Sequence, residues 1–353
     1  MAENQRDHLI KTEAEKGKRM EEVRLGTIGS GVIVHSVLDG VRETKGICLE
    51  AVYSRTEDKG RALAAEYGVE KVYTDMDAFL ADSAVNCVYI ATPNLLHYEQ
   101  AKRALTAGKH VICEKPFVTR PEQAEELFAL AVSKGMFLCE AAPTSFLPNY
   151  AILKRELPKI GRVRLVMANY SQYSSRYDKL LAGEPPNIFN PDYAGGTLMD
   201  INFYNVYLNV ALFGKPASAS YAATLYDLGG GRSIDTSGVV TLRYPDFVST
   251  CAGAKDTWGE NYVQIEGEQG YIYIKGGSNG LASIRVVTWD ADETFDEQSH
   301  PSRWYYEVQR LTELLRAEDR VAFDERRRIT TETVRVIEAL RRDAGLVFPG
   351  DSA

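Results

Sequence analysis

Three residues combine chemical types and spacing that suit proton transfer. Lys115 lies between Glu114 and Pro116, directly after a short β-branched run. Asp200 and Tyr204 stand four residues apart, so they share one face of a predicted helix. If that face is opposite Lys115, the lysine and the tyrosine would bracket a substrate hydroxyl and could act on its proton. An ion pair of Lys115 with Glu114 or another strand-end acid, and simple packing of an amphipathic helix, are the structural alternatives.

A glycine-rich turn near the start of the chain predicts a dinucleotide site. In Gly26-Thr-Ile-Gly-Ser-Gly31, Gly29 permits a tight turn and Gly31 lets the backbone approach a pyrophosphate at the helix N-terminus. Val34 replaces the usual third small residue. A structural turn is the alternative, but the position between a strand and a helix favours the cofactor. The predicted contacts are Gly29, Ser30, Gly31, Val32 and Ile33.

The end of the second predicted strand distinguishes NADP from NAD. An acid there would accept the ribose 2′-OH and repel a 2′-phosphate. This chain instead has Ser54 and Arg55, with Lys59 one turn later. Ser54 can donate to a phosphate, and Arg55 can pair with it and stack on adenine. We predict NADP and keep NAD open, because Glu57 and Asp58 add negative charge and a plain helix start is the alternative.

Later strand ends should face the same crevice, because ligands of open α/β sheets bind outside the carboxyl ends of the strands. Asn94 could instead cap a helix, and His97 is more often a packing residue than a reacting one. Glu140 ends the last strand of this region. The predicted cofactor contacts at these strand ends are Thr92, Pro93, Asn94, His97, Glu114 and Lys115.

Two patterns of secondary structure divide the chain. Residues 21–142 alternate strands and helices, which predicts a Rossmann domain with a doubly wound parallel sheet. Residues 143–300 carry strands joined by tight turns, which predicts an α+β substrate domain built on a mainly antiparallel sheet. Residues 301–353 are predicted helices that pack back on both domains, and residues 1–20 are a predicted flexible leader.

Capping signals predict several boundaries. Thr119 precedes Glu122 by three residues with Pro121 in the first turn, so Thr119 should cap a helix. Gly214 should end a helix over about residues 199–213. Further helices are expected over about 304–315 and 331–344, and one strand over 239–244.

Composition excludes several classes of protein. The net charge of -8 argues against nucleic-acid binding. Five cysteines without a CxxC pair and five scattered histidines predict no metal site. A signal peptide and a membrane span would each need an apolar stretch that the sequence lacks, so we predict no membrane partner and a cytoplasmic location.

These segments together resemble the Gfo/Idh/MocA family. The similar residues are Gly26-Thr-Ile-Gly-Ser-Gly31, Ala91-Thr-Pro-Asn94 with His97, Gly108-Lys-His-Val111 running into Glu114-Lys115-Pro116, and Gly195-Gly196 with Asp200. The resemblance covers nearly all of the chain from about residue 22. It implies an open-faced mixed sheet after the Rossmann domain, usually a dimer or tetramer interface, and an active site formed by Lys115 and the helix of Asp200.

Tyr204 stands where many family members have histidine, and Asn202 where glycine is usual. The tyrosine resembles the branch of glucose-fructose oxidoreductase and dimeric dihydrodiol dehydrogenase, which implies that Tyr204 exchanges the proton. Lys115 would then stabilise the alkoxide, and Asp200 would orient Lys115 or a substrate hydroxyl. The predicted substrate-binding residues are Tyr170, Tyr173, Arg176, Tyr177, Asp200 and Tyr204, with a structural role equally open for the first four.

The predicted activity is hydride transfer between nicotinamide C4 and a carbinol or carbonyl of a sugar, polyol or related cyclic diol. Two alternatives stay open: a non-catalytic NAD(P)-binding regulator, and a sugar-sugar oxidoreductase with a permanently bound cofactor. The expected assembly is a homodimer or homotetramer through the second sheet.

Overall fold

Strands alternate with helices in the N-terminal part of the computed structural model, which describes residues 20–351. Six parallel strands form one sheet in the order β3-β2-β1-β4-β5-β6. They are β1 (Val23–Ile28), β2 (Ile47–Tyr53), β3 (Val72–Tyr73), β4 (Cys87–Ile90), β5 (His110–Glu114) and β6 (Leu138–Ala141). The accompanying helices are α1 (Val32–Glu43), α2 (Glu57–Tyr67), α3 (Met76–Ala81), α4 (His97–Thr106) and α5 (Pro121–Lys134). The predicted Rossmann architecture is confirmed.

The described part begins at Met20, which packs against the apolar cluster around β1 and α1. The rest of the predicted leader, residues 1–19, lies outside the described residues. Within residues 20–351, no helix is both long enough and apolar enough to cross a membrane.

The start of α5 corrects the expected cap. The residue before the helix is Arg120, and the Thr119 hydroxyl lies 3.5 Å from the Gln123 side chain instead of capping a backbone N–H. Pro121 takes the first helical position, where its missing N–H costs nothing. A residue before proline is confined to extended backbone, so Arg120 adopts φ -132° and ψ 140° and leaves Thr119 outside the cap.

The second sheet has eight strands in the order β14-β13-β12-β11-β7-β10-β9-β8. They are β7 (Val163–Ser171), β8 (Ser218–Gly229), β9 (Arg232–Arg243), β10 (Val248–Ala254), β11 (Tyr262–Gly267), β12 (Gly270–Lys275), β13 (Ser283–Thr288) and β14 (Asp292–Phe295). β7 and β10 run parallel, whereas the other neighbours pair antiparallel. The predicted mainly antiparallel sheet is therefore confirmed.

Two strands of this sheet extend beyond the sequence prediction. β9 begins at Arg232, well before residue 239, because three successive glycines at Gly229, Gly230 and Gly231 turn the chain with positive φ. Its polar first half pairs with β8, and backbone pairing does not require apolar side chains. β14 was not predicted because its residues are mostly charged and exposed.

The remaining helices are α6 (Pro148–Glu156), α7 (Tyr177–Leu181), α8 (Phe203–Phe213), α9 (Arg303–Ala317) and α10 (Arg320–Asp343). The predicted start of the last helix near residue 331 is wrong. Asp319 caps it by accepting from the Ala322 N–H at 3.0 Å, and Phe323 is already buried in its first turn. The charged residues that concealed this start occupy the exposed side of the helix.

One face of the second sheet is buried under helices and the other is partly exposed. α8 and α10 pack together, α10 also contacts α5, and α9 lies against α1. The C-terminal helices therefore touch both sheet layers. On the buried face, Val166, Ala168 and Cys251 are enclosed, while the alternating Leu165 and Met167 are partly exposed.

Candidate active site

A cavity of about 530 Å³ opens between the carboxyl edge of the first sheet and the second sheet. Its walls come from the glycine-rich turn, the ends of β4, β5 and β7, the segment before α8, and the start of α9. The predicted site residues among them are Gly31, Val32, Ile33, Thr92, Pro93, Asn94, Glu114, Lys115, Tyr170, Arg176, Asp200 and Tyr204.

The three residues predicted to be catalytic lie together in this cavity. The Lys115 ammonium donates to Asp200 Oδ1 at 2.9 Å and to the Asp200 carbonyl oxygen at 3.0 Å. It also lies 4.8 Å from the centre of the Tyr204 ring. Lys115 therefore pairs with Asp200 across the cleft, and not with Glu114 as the structural alternative proposed.

Lys255 is part of this cluster and was missed from the sequence. Its ammonium donates to Asp200 Oδ2, so two lysines share one carboxylate. The Lys255 side chain is 6% exposed, compared with 27% for Asp200. A signal was available, because Lys255 directly follows β10, and β10 runs parallel to the β7 strand that ends near Tyr170. The carboxyl ends of parallel strands meet at one edge.

The charges in the cluster reinforce one another. Burial opposes the charge of Lys115, but Asp200, Tyr204 and Glu114 together outweigh it and raise the pKa of Lys115 above its usual value. Burial likewise opposes the charge of Asp200, yet Lys115 and Lys255 together lower its pKa well below the ordinary range. At neutral pH the cluster thus holds two ammonium groups and one carboxylate.

The helix that carries Asp200 and Tyr204 is held at its start by β9. The Leu198 N–H donates to Asp235 Oδ2 at 2.6 Å, and the Thr197 hydroxyl donates to the Thr236 carbonyl at 2.7 Å. Gly196 has φ +109°, and a Cβ there would lie 2.0 Å from Asp235 Oδ1. The glycine is therefore required by this close approach to the neighbouring strand.

The turn over Leu198–Asn202 is π-helical and continues into α8. Asn202 is fully buried there, and its amide donates to the Cys251 carbonyl at 2.9 Å. A Cβ on Gly253 would lie 2.7 Å from Asn202 Cβ. Asn202 thus packs against β10, away from the cavity, and its departure from the family pattern is accommodated by Gly253.

The glycine-rich turn has the shape that a pyrophosphate requires. Gly29 has φ +120°, and a Cβ there would lie 2.4 Å from the Ala91 carbonyl oxygen. A Cβ on Gly31 would meet no atom within 4 Å, so the backbone at the start of α1 borders open space. Val34, at the third small position, is fully buried in the core. These residues suit a dinucleotide.

The end of β2 lies outside the cavity. Ser54 is buried, and its hydroxyl oxygen accepts a long 3.4 Å bond from the Thr56 N–H. Arg55 and Lys59 are exposed. Glu57, whose charge would oppose a phosphate, is paired with Arg61 at 2.9 Å between Arg61 Nε and its carboxylate.

The other strand ends divide into cavity residues and packing residues. Asn94 donates to the Ala194 carbonyl at 2.8 Å, which links β4 to the segment before α8 and excludes the simple capping role. The Thr92 hydroxyl donates to Gln100 at 2.6 Å. His97 is fully buried behind the cavity, with Nε2 2.9 Å from the Thr92 carbonyl and Nδ1 3.1 Å from the Pro116 carbonyl. Burial lowers the pKa of His97.

Two buried glutamates lie behind Lys115. Glu114 accepts from the Tyr89 hydroxyl at 2.6 Å, and its pKa is raised by burial. Glu140 accepts from the Phe117 N–H at 3.0 Å and from the Thr330 hydroxyl at 2.8 Å. Burial raises the pKa of Glu140 to about 7. Glu140 joins β6 to α10 and does not line the cavity.

The predicted substrate wall is only partly assembled. Tyr170 packs edge-on against Tyr204 with ring centres 5.9 Å apart, and Arg176 lines the rim. Tyr173 instead hydrogen-bonds Asp178, and Tyr177 packs on Phe189, so neither is among the residues that line the cavity.

Arg303, at the start of α9, is a cavity residue that the sequence did not reveal. Its guanidinium lies 5.4 Å from the centre of the Tyr204 ring and 4.6 Å from the Trp304 ring. Its Nε is buried without a hydrogen-bond partner among residues 20–351. No local motif distinguishes this arginine from the others in the chain.

Two segments of the chain match described families. Residues 23–141 match "Oxidoreductase family, NAD-binding Rossmann fold", and residues 157–273 match "GFO/IDH/MocA C-terminal domain". YgjR, an uncharacterised oxidoreductase of Escherichia coli (strain K12), is 33% identical over 94% of this chain and 99% of its own length. The scyllo-inositol 2-dehydrogenase (NADP(+)) IolU of Bacillus subtilis (strain 168) is 34% identical over 94% of this chain and 100% of its own length.

Solved structures share the fold at lower identity. KijD10, a 3-ketoreductase from Actinomadura kijaniata in complex with NADP and TDP-benzene, has a TM-score of 0.76 to this chain. The likeness covers 91% of this chain and 97% of KijD10 at 22% identity, so it concerns the fold alone.

Proposed function

Because the chain belongs to the Gfo/Idh/MocA family of NAD(P)-binding oxidoreductases, we propose that it interconverts a carbinol and a carbonyl of a cyclic polyol or sugar. The observation that carries the proposal is the cluster of Lys115, Asp200 and Tyr204, which lines the cavity beside the glycine-rich turn. An ion pair that only stabilises the fold does not require an open cavity or a neighbouring tyrosine hydroxyl.

The reacting oxygen lies between Lys115 and Tyr204. Oxidation of a carbinol breaks its C–H bond and its O–H bond, and a bound nicotinamide supplies reversible hydride acceptance at C4. The released proton goes to the Tyr204 oxygen, while the Lys115 ammonium stabilises the alkoxide and favours the ionised phenol. Asp200 fixes the direction of the Lys115 ammonium through the 2.9 Å bond.

The cofactor is held by two regions of the first sheet. The backbone of Gly29, Ser30 and Gly31 at the start of α1 receives the pyrophosphate, supported by Val32 and Ile33. The ends of β4 and β5 supply the remaining predicted contacts, namely Thr92, Pro93, Asn94, Glu114 and Lys115. His97 contributes by packing under this edge, since both ring nitrogens face backbone carbonyls.

We propose that NADP is preferred over NAD. Arg55 and Lys59 are exposed at the end of β2, where a 2′-phosphate would lie, and Ser54 adds a hydroxyl. The ion pair of Glu57 with Arg61 reduces the opposing negative charge. The name of the relative IolU specifies NADP, which supports the same preference.

Cyclic polyols are the substrate class that we favour. Tyr170, Arg176 and Arg303 line the same cavity as Lys115 and Tyr204 and add an aromatic edge and planar cations, which suit hydroxyl-rich rings. The relative IolU is named for scyllo-inositol. The remote positions of Tyr173 and Tyr177 assign them a packing role in this proposal.

A turnover assay tests the proposed function. Purified protein with NADP and a panel of inositols, aldoses and trans-dihydrodiols should produce the absorbance of reduced nicotinamide, with an inositol among the substrates. Cofactor binding without turnover of any compound in either direction would favour the regulatory alternative. Retention of the cofactor through gel filtration, with turnover only when two sugars are supplied, would favour the sugar-sugar alternative.

The partly exposed face of the second sheet is the proposed assembly surface. It presents apolar and aromatic side chains, with the rings of Tyr262 and Tyr273 stacked 6.0 Å apart. A homodimer or homotetramer through this face would cover them. Light scattering should find an oligomer, and Tyr262→Glu should dissociate it; a monomeric parental protein would contradict the proposal. A cytoplasmic location stays a prediction from the sequence.

A further inference from the structure

The Asp200 carboxylate connects lysines from the two parts of the molecule. Lys115 follows β5 of the Rossmann sheet and bonds one carboxylate oxygen, whereas Lys255 follows β10 of the second sheet and bonds the other. Two lysines on one acid leave a net charge of about +1 on the cluster. A Lys115–Asp200 pair alone would be neutral and would exert a much weaker field on Tyr204.

Lys255 is held firmly behind Asp200. Its backbone N–H donates to the Thr236 carbonyl at 2.8 Å, and its carbonyl accepts from the Ser174 N–H at 2.9 Å. The ammonium lies 5.5 Å from the centre of the Phe189 ring. Lys255 is not among the residues that line the cavity, so it acts on the reaction through Asp200 and not by touching substrate.

Resting on the proposed function, we propose that Lys255 is a positioning residue that neutralises Asp200. The charge of Lys115 then remains available to the Tyr204 phenolate and to the substrate alkoxide. Without Lys255, the full negative charge of Asp200 would oppose both anions. The role is electrostatic, so it differs from mere support of the fold.

Other charged and titratable groups also face Tyr204, and the charge variants described below do not alter them. Arg303 on α9 favours the phenolate from 5.4 Å, measured from the guanidinium carbon to the ring centre. Tyr170 on β7 contacts the ring, and Glu114 lies at the end of β5. On β9, Asp235 accepts from the Leu198 N–H and the Tyr221 hydroxyl.

The experiment compares the pH profile of polyol oxidation for charge variants. In Lys255→Met, the rate should rise with pH about one unit later than in the parental protein, with a rate about tenfold lower at neutral pH that recovers in alkali. Lys255→Arg should restore the parental profile. Lys134→Met replaces an exposed lysine on α5 and is the matched control, so it should leave the oxidation rate and its pH profile unchanged.

A second pair of variants separates charge from structure. Asp200→Asn should shift the midpoint of the pH–rate profile to lower pH, because it leaves two uncompensated ammonium groups. This shift is opposite in direction to the one expected for Lys255→Met. The double variant has the net charge of the parental cluster, so its midpoint should return close to the parental one. If Lys255→Met does not fold, Asp200→Asn and the double variant still decide the question.

A measurement without cofactor provides an independent result. The pH titration of tyrosinate absorbance, taken as the difference between each protein and its Tyr204→Phe counterpart, should show the same shifts. A uniform loss of rate in Lys255→Met with an unchanged midpoint would overturn the inference and leave the proposed function intact. No turnover by the parental protein would overturn the proposed function and this inference with it.

Discussion

The two ends of the proposed cofactor cleft handle charge in opposite ways. At the catalytic end, Lys115, Lys255 and Asp200 are largely enclosed and bond one another. At the end of β2, Arg55 and Lys59 stand in solvent. Charges removed from water interact strongly, whereas exposed charges are screened by salt and solvent. Single substitutions should therefore have large effects at the catalytic end and small effects at the other.

Tyr204→Phe should give the largest effect, because it removes the hydroxyl that we propose exchanges the proton and keeps the buried ring. The catalytic rate should fall by about 10²–10⁴ with normal folding and cofactor binding. Steady-state kinetics of oxidation and a thermal melt measure both. Tyr98→Phe, which removes an exposed hydroxyl bonded to Glu126, is the control. Near-parental turnover would assign Tyr204 to packing and the proton to Lys115 or a water.

Lys115→Ala should lower the rate by about 10²–10³, since it removes the ammonium that we propose stabilises the alkoxide. Cofactor affinity, measured by nicotinamide fluorescence, should remain largely intact. Lys134→Ala serves as a surface control. Activity within a few-fold of the parental protein would exclude Lys115 from the mechanism.

Glu140→Gln tests how the burial of an ionisable group behind Lys115 affects the free energy of unfolding. The pKa of Glu140 is raised by burial to about 7 from an ordinary value of 4.5, so the folded state holds the proton more tightly than the unfolded state. The free energy of unfolding should therefore fall as pH rises from about 4.5 to about 7, by about 3 kcal/mol from this group.

Urea unfolding of the parental protein and of Glu140→Gln at the two ends of this pH range measures that contribution. The glutamine oxygen can accept from the Phe117 N–H, and its NH2 group can donate to the Thr330 hydroxyl oxygen. The stability of this variant should vary less with pH. Equal slopes for the two proteins would mean that folding does not change the pKa of Glu140.

Arg55→Ala should give the smallest effect, because the arginine is exposed. NADP affinity should fall by roughly tenfold and NAD affinity by less, as expected for one charge-assisted phosphate contact. Fluorescence titration of both cofactors at fixed salt provides the values, and Arg328→Ala is a remote surface control. An equal loss for the two cofactors would leave only an adenine-stacking role for Arg55.

The same contrast explains what the sequence could reveal. Gly29, Gly31 and Lys115 occupy strand ends with local patterns, so their positions followed from the order of strands and helices. Lys255 contacts Asp200, and Arg303 lines the cavity, only through long-range packing of the second sheet and α9. Tyr173 and Tyr177 carried a suitable composition, but local packing directs them elsewhere. Position at a strand end therefore predicted the cavity residues better than the chemical type of residues in nearby segments did.

Long polar elements were the weakest part of the fold prediction. The first half of β9 has few apolar residues, and the charged run over residues 324–328 interrupts the apolar pattern of α10 near its start. Their structure depends on pairing with β8 and on the Asp319 cap.

A double-mutant cycle on Lys115 and Tyr204 tests the central claim most directly. If the two residues act on the same proton transfer, the variant carrying both Lys115→Ala and Tyr204→Phe should be about as slow as the slower single variant. The measurement is the oxidation rate of one polyol with saturating NADP for all four proteins. Losses that multiply across the cycle would show independent roles and would contradict a mechanism in which the lysine and the tyrosine share one reacting oxygen.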